Sequence, residues 1–555
     1  MKKKSIGLCA LALTALLGLS ACGGKSGPSE PGDQSLPNAT KIVIYAGGSS
    51  DFSWVKGSEE AEVIDTIERA YYDATGNALD FQVSFWGSDM HTKLENELKG
   101  GTQIDIVISH TRGGQGIDDL RKGPTAHYNL YNALDYAPNL YKQIEGAPLD
   151  CLTTANNDVI AIPSVISPYK FGILVRKDYM EKCGFTDDAE KAKTEFKPGQ
   201  NYRLVDDLVT FEAMCKEMNK LTGNSYAVTG APWDLEKVVT MGAYGDAGYF
   251  SSTLVEENGK KIIKSGFATP QYKDILALEY KWAREGVTSP AEGEWLIAQG
   301  EQTFVSGKTG VFVIDPTIQH LIKVARMTKS VNPEAEFTVL GPLTANDESE
   351  KKGFMRNPEA TFGAAIMKES ENVNEIMAFL NWVYKNPENY NLCRYGVEGK
   401  HWVNNGDGTF SYPEGSKYSL SKPAYSGILT LVENQRISNL TYSVYTAEER
   451  RWIKDIAGNA DNYVQNDVMD YMFTSTDEYN ELMADKMMSV YHGLALASWQ
   501  GKSDGNPLAP SSQDPSRTHF DFIIDGYNLA VRHIQEDFTT QYNKMKANRV
   551  PEESI

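Results

Sequence analysis

Several groups of side chains stand where a strand-like run meets a loop, and their types suit holding a polar molecule. After Lys41-Ile42-Val43-Ile44-Tyr45 come Gly47, Gly48, Ser49, Ser50, Asp51 and, a little further on, Trp54. After Gln103–Ser109 come His110, Thr111 and Arg112; Tyr169 precedes another apolar run. Trp233 closes Thr229-Gly230-Ala231-Pro232-Trp233, and Asp315 follows Val311–Ile314. Paired glycines allow a backbone to approach a ligand closely. Asp51 and Arg112 are suited to charge-assisted hydrogen bonds with hydroxyls or carboxylates. An indole face takes an apolar ring face while neighbouring side chains meet that ring's in-plane polar groups. Each residue also has a plainer role: Asp51 as a helix-start or solvated loop charge, Trp54 and Trp233 as core tryptophans.

Patterns that do covalent chemistry are missing. No nucleophile elbow stands out, and His91–Glu95 lacks the second histidine of a zinc-protease helix. Asn404-Asn405-Gly406-Asp407-Gly408-Thr409 resembles a small calcium loop but has no distal bidentate Glu, so it reads as a hairpin turn. No catalytic residue, metal site or cofactor is therefore assigned. A glycoside hydrolase would need two carboxylates about 5–9.5 Å apart across a cleft, and no such pair is recognisable. Cys151, Cys183, Cys215 and Cys393 have neither CxxC spacing nor nearby histidines; both disulfides and buried thiols remain open readings.

The elements that must carry these loops alternate. Glu59–Thr75 has apolar residues at Val63, Ile67, Ala70 and Tyr71, a helical spacing closed by Gly76-Asn77. Strand-like Phe81–Trp86, helical Asp89–Leu98 and strand-like Gln103–Ser109 follow, the order of a parallel α/β sheet. The pattern resumes with strand-like Gly172–Arg176, Tyr226–Thr229, Thr309–Ile314 and Phe337–Leu340, separated by helices near Thr210–Leu221, Gln271–Glu285 and Glu294–Val305. A final amphipathic helix is expected over Tyr527–Lys546. Repeats and all-β patterning, the marks of an adhesion scaffold, are not seen.

The leader has its own chemistry. Met1–Lys4 is basic, Ile6–Leu19 is a short apolar run, and Leu19-Ser20-Ala21-Cys22-Gly23 resembles a bacterial lipobox. Cys22 is the expected lipidation site, with acyl burial worth about 0.8 kcal/mol per methylene. Residues 23–40 are mostly Gly, Ser, Pro and other polar residues, the composition of a tether. The chain of 555 residues carries a net charge of −20, which becomes −23 without Lys2, Lys3 and Lys4. That balance excludes sequence-independent nucleic-acid binding and disfavours anionic polymers unless a local cationic patch exists.

Five segments, in order, resemble family 1 extracellular solute-binding proteins of ABC importers, the maltose-binding-protein-like group and its longer lipoprotein branch. They are Gln103–Ser109, Ala161-Ile162-Pro163, Phe171–Lys182 with Arg176-Lys177-Asp178-Tyr179-Met180, Phe304–Val311 with Gly307-Lys308, and Tyr395-Gly396-Val397-Glu398-Gly399-Lys400-His401-Trp402. The resemblance reaches to about residue 405; 406–555 carry no motif of this kind. It implies a two-lobed α/β fold of periplasmic-binding-protein type II, with lobes joined by crossover strands. Expected boundaries are a signal peptide at 1–21, a tether at 22–40, a first lobe at 41–165 and 343–396, and a second at 166–342 and 397–555. It also implies that Arg112, His401 and Trp402 reach the interlobe cleft. In that setting the tryptophans suit a pyranose, whose axial C–H groups are apolar. The expected function is capture of a carbohydrate, an oligosaccharide by expectation, for delivery to an ABC permease, by a lipid-anchored monomer on the extracytoplasmic face. A peptide-binding receptor is the alternative.

Overall fold

The computed structural model describes residues 36–47, 59–86, 90–111, 116–120, 125–240, 252–346, 350, 353–420, 422–474, 495–502 and 506–549. Two sheets organise it. Their strands, in chain order, are β1 (Thr40–Gly47), β2 (Leu79–Trp86), β3 (Ile106–His110), β4 (Ile162–Pro163), β5 (Ile173–Arg176), β6 (Val228–Thr229), β7 (Val311–Phe312), β8 (Phe337–Leu340) and β9 (Phe362–Ile366).

The first sheet has the order β2-β1-β3-β9-β4. Strands β1, β2 and β3 run parallel, with Ile42 opposite Phe81 and Ile44 opposite Ile106. The expectation of a wholly parallel sheet is corrected by β9, which lies antiparallel between β3 and β4 and pairs Phe362 with His110 and Gly363 with Pro163. Single-strand periodicity cannot reveal that insertion, because it comes from chain 250 residues beyond β3. The helix Glu60–Thr75 buries Val63, Ile67 and Tyr71 against this sheet, and Gly76 ends it at φ 76°, a left-handed conformation that costs glycine least.

The second sheet has the order β6-β7-β5-β8, with β6 and β7 parallel and β5 antiparallel to both β7 and β8. The helix Leu208–Thr222 packs Phe211, Met214, Cys215 and Met218 beneath it. Helix Ile297–Val305 is followed by Gly307 at φ 77° and then β7, as the Gly-Lys segment suggested. These two sheets are the cores of two lobes, and the chain passes between them from β4 to β5 and again from β8 to β9.

The chain beyond 397 does not stay with one lobe. Tyr425, Ile428, Leu429, Leu431 and Val432 sit in the core under the first sheet, whereas Trp452 and Ala457 pack on the second. Placing all of 397–555 in the second lobe is therefore corrected for 425–432, whose apolar side chains fill space that Tyr384 and Tyr390 leave in the first core. The expected last helix is two helices, His519–Ala530 and Arg532–Asn548, broken at Val531 (φ −102°, ψ 7°). Both pack on the hairpin Ser252–Ser265 and the helix Pro270–Glu285. Cys151, Cys183, Cys215 and Cys393 are free thiols. No helix among the described residues is long and apolar enough to cross a membrane.

Candidate functional site

The second lobe brings several polar side chains to the ends of its strands. Pro232 opens a one-turn helix, Pro232–Leu235, directly after β6, and this aims Trp233 and Asp234 off the sheet edge. Trp233 is half-buried, its ring edge-to-face with Trp499 at 6.2 Å, and Trp499 in turn meets Trp295 at 5.9 Å. Asp234 accepts the Asp315 N–H at 2.9 Å and pairs with Lys237 at 3.2 Å. Burial raises the Asp234 carboxyl above its ordinary value, while Lys237 and the Asp315 N–H pull it back. Asp315, just past β7, holds φ at 41°, a left-handed conformation rarely taken by residues other than glycine. Its side chain remains about half exposed and lies 3.4 Å from His320 Nδ1. Backbone held in such a conformation is found most often at ligand clamps and active sites.

Tyr169 and Lys170 approach the same edge before β5. Phe171 bridges to Thr317, and the Ile318 N–H donates to the Lys170 carbonyl at 2.8 Å, so this segment lies alongside the loop after β7. Tyr169 rests on Tyr463 with centroids 4.9 Å apart. Lys170, which the sequence reading passed over, has Asp315, Lys237 and Glu433 as its charged neighbours.

The joint between the lobes carries the facing groups. Segment 433–435 runs beside 165–167: Val165 N–H donates to Glu433 O at 2.8 Å, Gln435 N–H to Val165 O at 2.7 Å, and Ser167 N–H to Gln435 Oε1 at 3.0 Å. Glu433 pairs with Arg394 at 3.0 Å. Arg356, buried between β8 and β9, grips Asp470 through both terminal nitrogens, one at 3.1 Å. Burial and Asp470 together raise the Glu359 carboxyl, with Arg356 and Arg436 opposing. At the end of β3, His110 lies against Phe362 with ring centroids 4.5 Å apart. Thr111 is buried, its hydroxyl donating to Ala360 O at 2.9 Å and its N–H to Thr361 O at 3.0 Å. Thr111 thus braces the 359–362 turn, its hydroxyl proton committed to Ala360 O. Tyr169, Trp233, Asp315 and the His110 edge are the assigned residues that the structure sets at strand ends, with Lys170, Asp234, Glu359 and Glu433 joining them.

Trp402 is corrected as well. It is 2 % exposed, its Nε1 donates to Gly396 O at 2.9 Å, and its ring packs on Tyr395 with centroids 5.1 Å apart. Neither face nor polar atom is available to a ligand. His401 accepts the Val397 N–H at Nδ1 (3.0 Å), which leaves Nε2 to donate to Glu59 at 3.1 Å. Hydrogen bonds from Tyr418 and Lys417 hold the Glu59 carboxyl down to about 2. Glu59, Glu62 and His401 offer ligand atoms within 4.8 Å of one another. With Lys417 on Glu59 and Lys400 on Glu62, the cluster is already neutralised and acts as an ion-pair network. The 404–409 loop is a hairpin turn, with Asp407 Oδ1 accepting from the Thr409 N–H at 3.0 Å and Asn404 Oδ1 from the Gly406 N–H at 3.0 Å. Gly48, Ser49, Asp51, Trp54, Arg112 and Cys22 lie outside the described residues.

Behind the Trp233–Trp499 contact two carboxyls are buried together. Glu236 accepts from the Tyr272 hydroxyl at 2.9 Å; Glu279 accepts from Trp499 Nε1 at 2.7 Å and the Thr240 hydroxyl at 3.2 Å. Among the described residues Glu236 Oε2 has no hydrogen-bond partner. Burial raises the Glu279 carboxyl to about 8, and burial plus the neighbouring Glu279 raises Glu236 well above its usual range.

No protein-family model and no curated protein matches the sequence. Solved structures do match the fold. The N-glycan transport solute-binding protein of Streptococcus pneumoniae superposes with a TM-score of 0.61 at 16 % identity, covering 92 % of this chain and 100 % of that one. An HMO-binding ABC-transporter-associated solute-binding protein from Bifidobacterium longum infantis gives 0.61 at 12 % identity, covering 93 % and 100 %. The alginate-binding protein AlgQ2 gives 0.60 at 13 % identity, covering 92 % and 98 %. The chain therefore has the two-lobed α/β fold of ABC-transporter extracellular solute-binding proteins over nearly its whole length.

Proposed function

We propose that this chain is a carbohydrate-capturing receptor of an ABC importer, anchored through Cys22 and delivering its ligand to the permease as a monomer. The observation that carries the reading is the set of side chains at the strand ends: a half-buried indole at Trp233 beside Asp234 and Asp315, with charged groups from the interlobe joint close by. An indole beside oriented carboxylates matches a sugar ring, apolar on its faces and polar at its rim. The printed ligands of the fold's neighbours, N-glycan, HMO and alginate, are all carbohydrates and support the same class. Capture by hinge closure requires only that the ligand bind the closed form more tightly than the open one. The chain's two crossings, from Pro163 to Ile173 and from Leu340 to Phe362, support lobe boundaries near 165 and 342.

The test is a thermal-shift and tryptophan-fluorescence screen of residues 41–555 against mono- and oligosaccharides, uronate oligomers and short peptides, with polymer breakdown followed in the same wells. A ligand at one hundred times its Kd adds about 2.7 kcal/mol of stability. Saturable stabilisation by carbohydrates without turnover is expected. Stabilisation by peptides alone would move the assignment to a peptide receptor, and product release would make the chain an enzyme.

A further inference from the structure

Asp315 is held from both sides. Its N–H donates to Asp234 at 2.9 Å, and its carbonyl lies 3.0 Å from His320 Nδ1, which also stands 3.4 Å from its carboxylate. The two clamps come from different elements, Asp234 from the turn after β6 and His320 from the first turn of the helix Ile318–Val331. Backbone at φ 41° is costly for an aspartate, and these bonds offset a strain the loop would otherwise relieve. The result is a fixed carboxylate at the strand end with about half its surface open.

The other ring nitrogen of His320 decides what that clamp depends on. Nε2 lies 2.7 Å from Glu301 on the helix Ile297–Val305, and Lys323 pairs with the same carboxylate oxygen at 2.8 Å. Burial pushes the Glu301 carboxyl up, but Lys323 and His320 outweigh it and hold it below its ordinary value, so it stays ionised and only accepts. A carbonyl likewise only accepts. Both nitrogens of His320 thus face acceptors, and the imidazolium, with two N–H groups, is the form that satisfies both. The side chain is 9 % exposed and its ring stands edge-on to Phe312 at 5.6 Å, so water has little access to replace a lost bond. The charged groups facing the ring are Glu301, Lys323 and Asp315, with Asp234 and Lys237 one bond further on.

We propose that His320 is a positioning residue that makes ligand capture pH-dependent: as imidazolium it clamps Asp315 for the ligand, and as neutral imidazole it lets that clamp go. The proposal rests on the carbohydrate-receptor reading, in which the Asp315 carboxylate accepts from ligand hydroxyls, and adds how that site is regulated. Neutral imidazole keeps one donor. The Glu301 carboxylate is a stronger acceptor than a carbonyl, so the bond given up is the one to Asp315. Histidine is the side chain whose charge changes between pH 5 and 8. The ligand binds the clamped arrangement and the imidazolium favours that arrangement, so capture weakens as pH rises and the ring loses its proton.

The experiment is isothermal titration calorimetry between pH 5.5 and pH 7.5 on the wild-type chain, His320→Gln and Glu301→Gln, each first checked for an unchanged circular dichroism spectrum. The probes are maltotetraose, mannotetraose, lacto-N-tetraose and a guluronate tetramer, the strongest binder being carried through the series. The wild-type Kd should weaken about 3- to 10-fold across the range, the worth of one hydrogen bond. His320→Gln should bind weakly at every pH. Glu301→Gln puts an amide, which can donate, opposite Nε2; neutral His320 then keeps both bonds, giving Nδ1–H to Asp315 and accepting at Nε2. That variant should hold the tight, low-pH affinity throughout, an outcome that a merely structural role for Glu301 does not produce. Should His320→Gln misfold, the wild-type profile and Glu301→Gln decide the matter. A flat wild-type profile, or a slope unchanged in folded Glu301→Gln, overturns the proposal while leaving the receptor reading intact. Failure of all four sugars to bind overturns both.

Discussion

Replacing Glu279 by Gln should change how stability depends on pH, because Glu279 and Glu236 share a buried site with, among the described residues, no cation in hydrogen-bonding contact. The native Glu279 carboxyl titrates near 8, against 4.5 as an ordinary carboxyl, with burial as the leading cause. A carboxyl raised in the folded state favours folding fully below its unfolded value. That contribution is lost as pH rises through the folded value, since the unfolded chain ionises first. The interval from 4.5 to about 8, at 1.36 kcal/mol per pH unit, is on the order of 5 kcal/mol. Glu279→Gln removes this titration while an amide oxygen can still accept from Trp499 Nε1 and the amide NH2 can face Thr240. Both proteins are melted between pH 5 and pH 9. The wild-type curve should fall more steeply toward alkaline pH, and the variant should gain on it by roughly 5 °C across the range. Glu236, whose carboxyl Glu279 helps to raise, shifts with the substitution and adds to the difference, while groups remote from the pair titrate alike in both proteins and cancel. Parallel curves would refute the claim that this pair is protonated in the native state.

Three further outcomes follow from particular contacts. Trp402→Ala should cost about 3–5 kcal/mol in urea denaturation, the usual toll of deleting a core aromatic, while calorimetry on the folded fraction gives an unchanged ligand Kd; a weakened Kd would return Trp402 to the site. Asp315→Gly should leave stability unchanged or raise it by up to about 1 kcal/mol, whereas Asp315→Val should lower it by about 1–3 kcal/mol, because φ of 41° suits glycine and opposes a β-branched side chain. Equal melting temperatures for the two variants would count against strain there. Arg356→Met should destabilise by about 3–5 kcal/mol because it strands the Asp470 carboxylate, and Arg356→Met combined with Asp470→Leu should recover part of that loss in the same denaturation assay.

The alternating strands and helices of both lobes were legible because their periods differ and glycines close the helices. Gly76 and the Gly307-Lys308 turn mark ends that the structure reproduces. The place of β9 was not legible, since a strand's sequence carries its faces but not its neighbours. The path of 425–432 into the first core was hidden for the same reason: an apolar run does not say which sheet it will cover. At the site, Trp233 and Asp315 could be picked out from their positions after strands. Trp402 misled because its burial depends on Tyr395, which packs on it and is itself backed by Phe410 and then Tyr442, a stack drawn from some fifty residues of chain. Lys170 was missed because nothing local distinguishes a lysine that will be desolvated from one that will be solvated.

The insertion of β9 between β3 and β4 also governs the order in which the molecule can be made. Its strand partners emerge early, but the sheet lacks its fourth member until residue 366, and the core beneath it lacks Tyr425–Val432 until later still. Contacts of such sequence separation are slow to form, because a long loop must be closed before they contribute. An N-terminal portion made ahead of the rest would thus expose an unfinished apolar sheet until most of the chain had followed. The topology makes the molecule a late folder, dependent on protection from aggregation until its last third arrives.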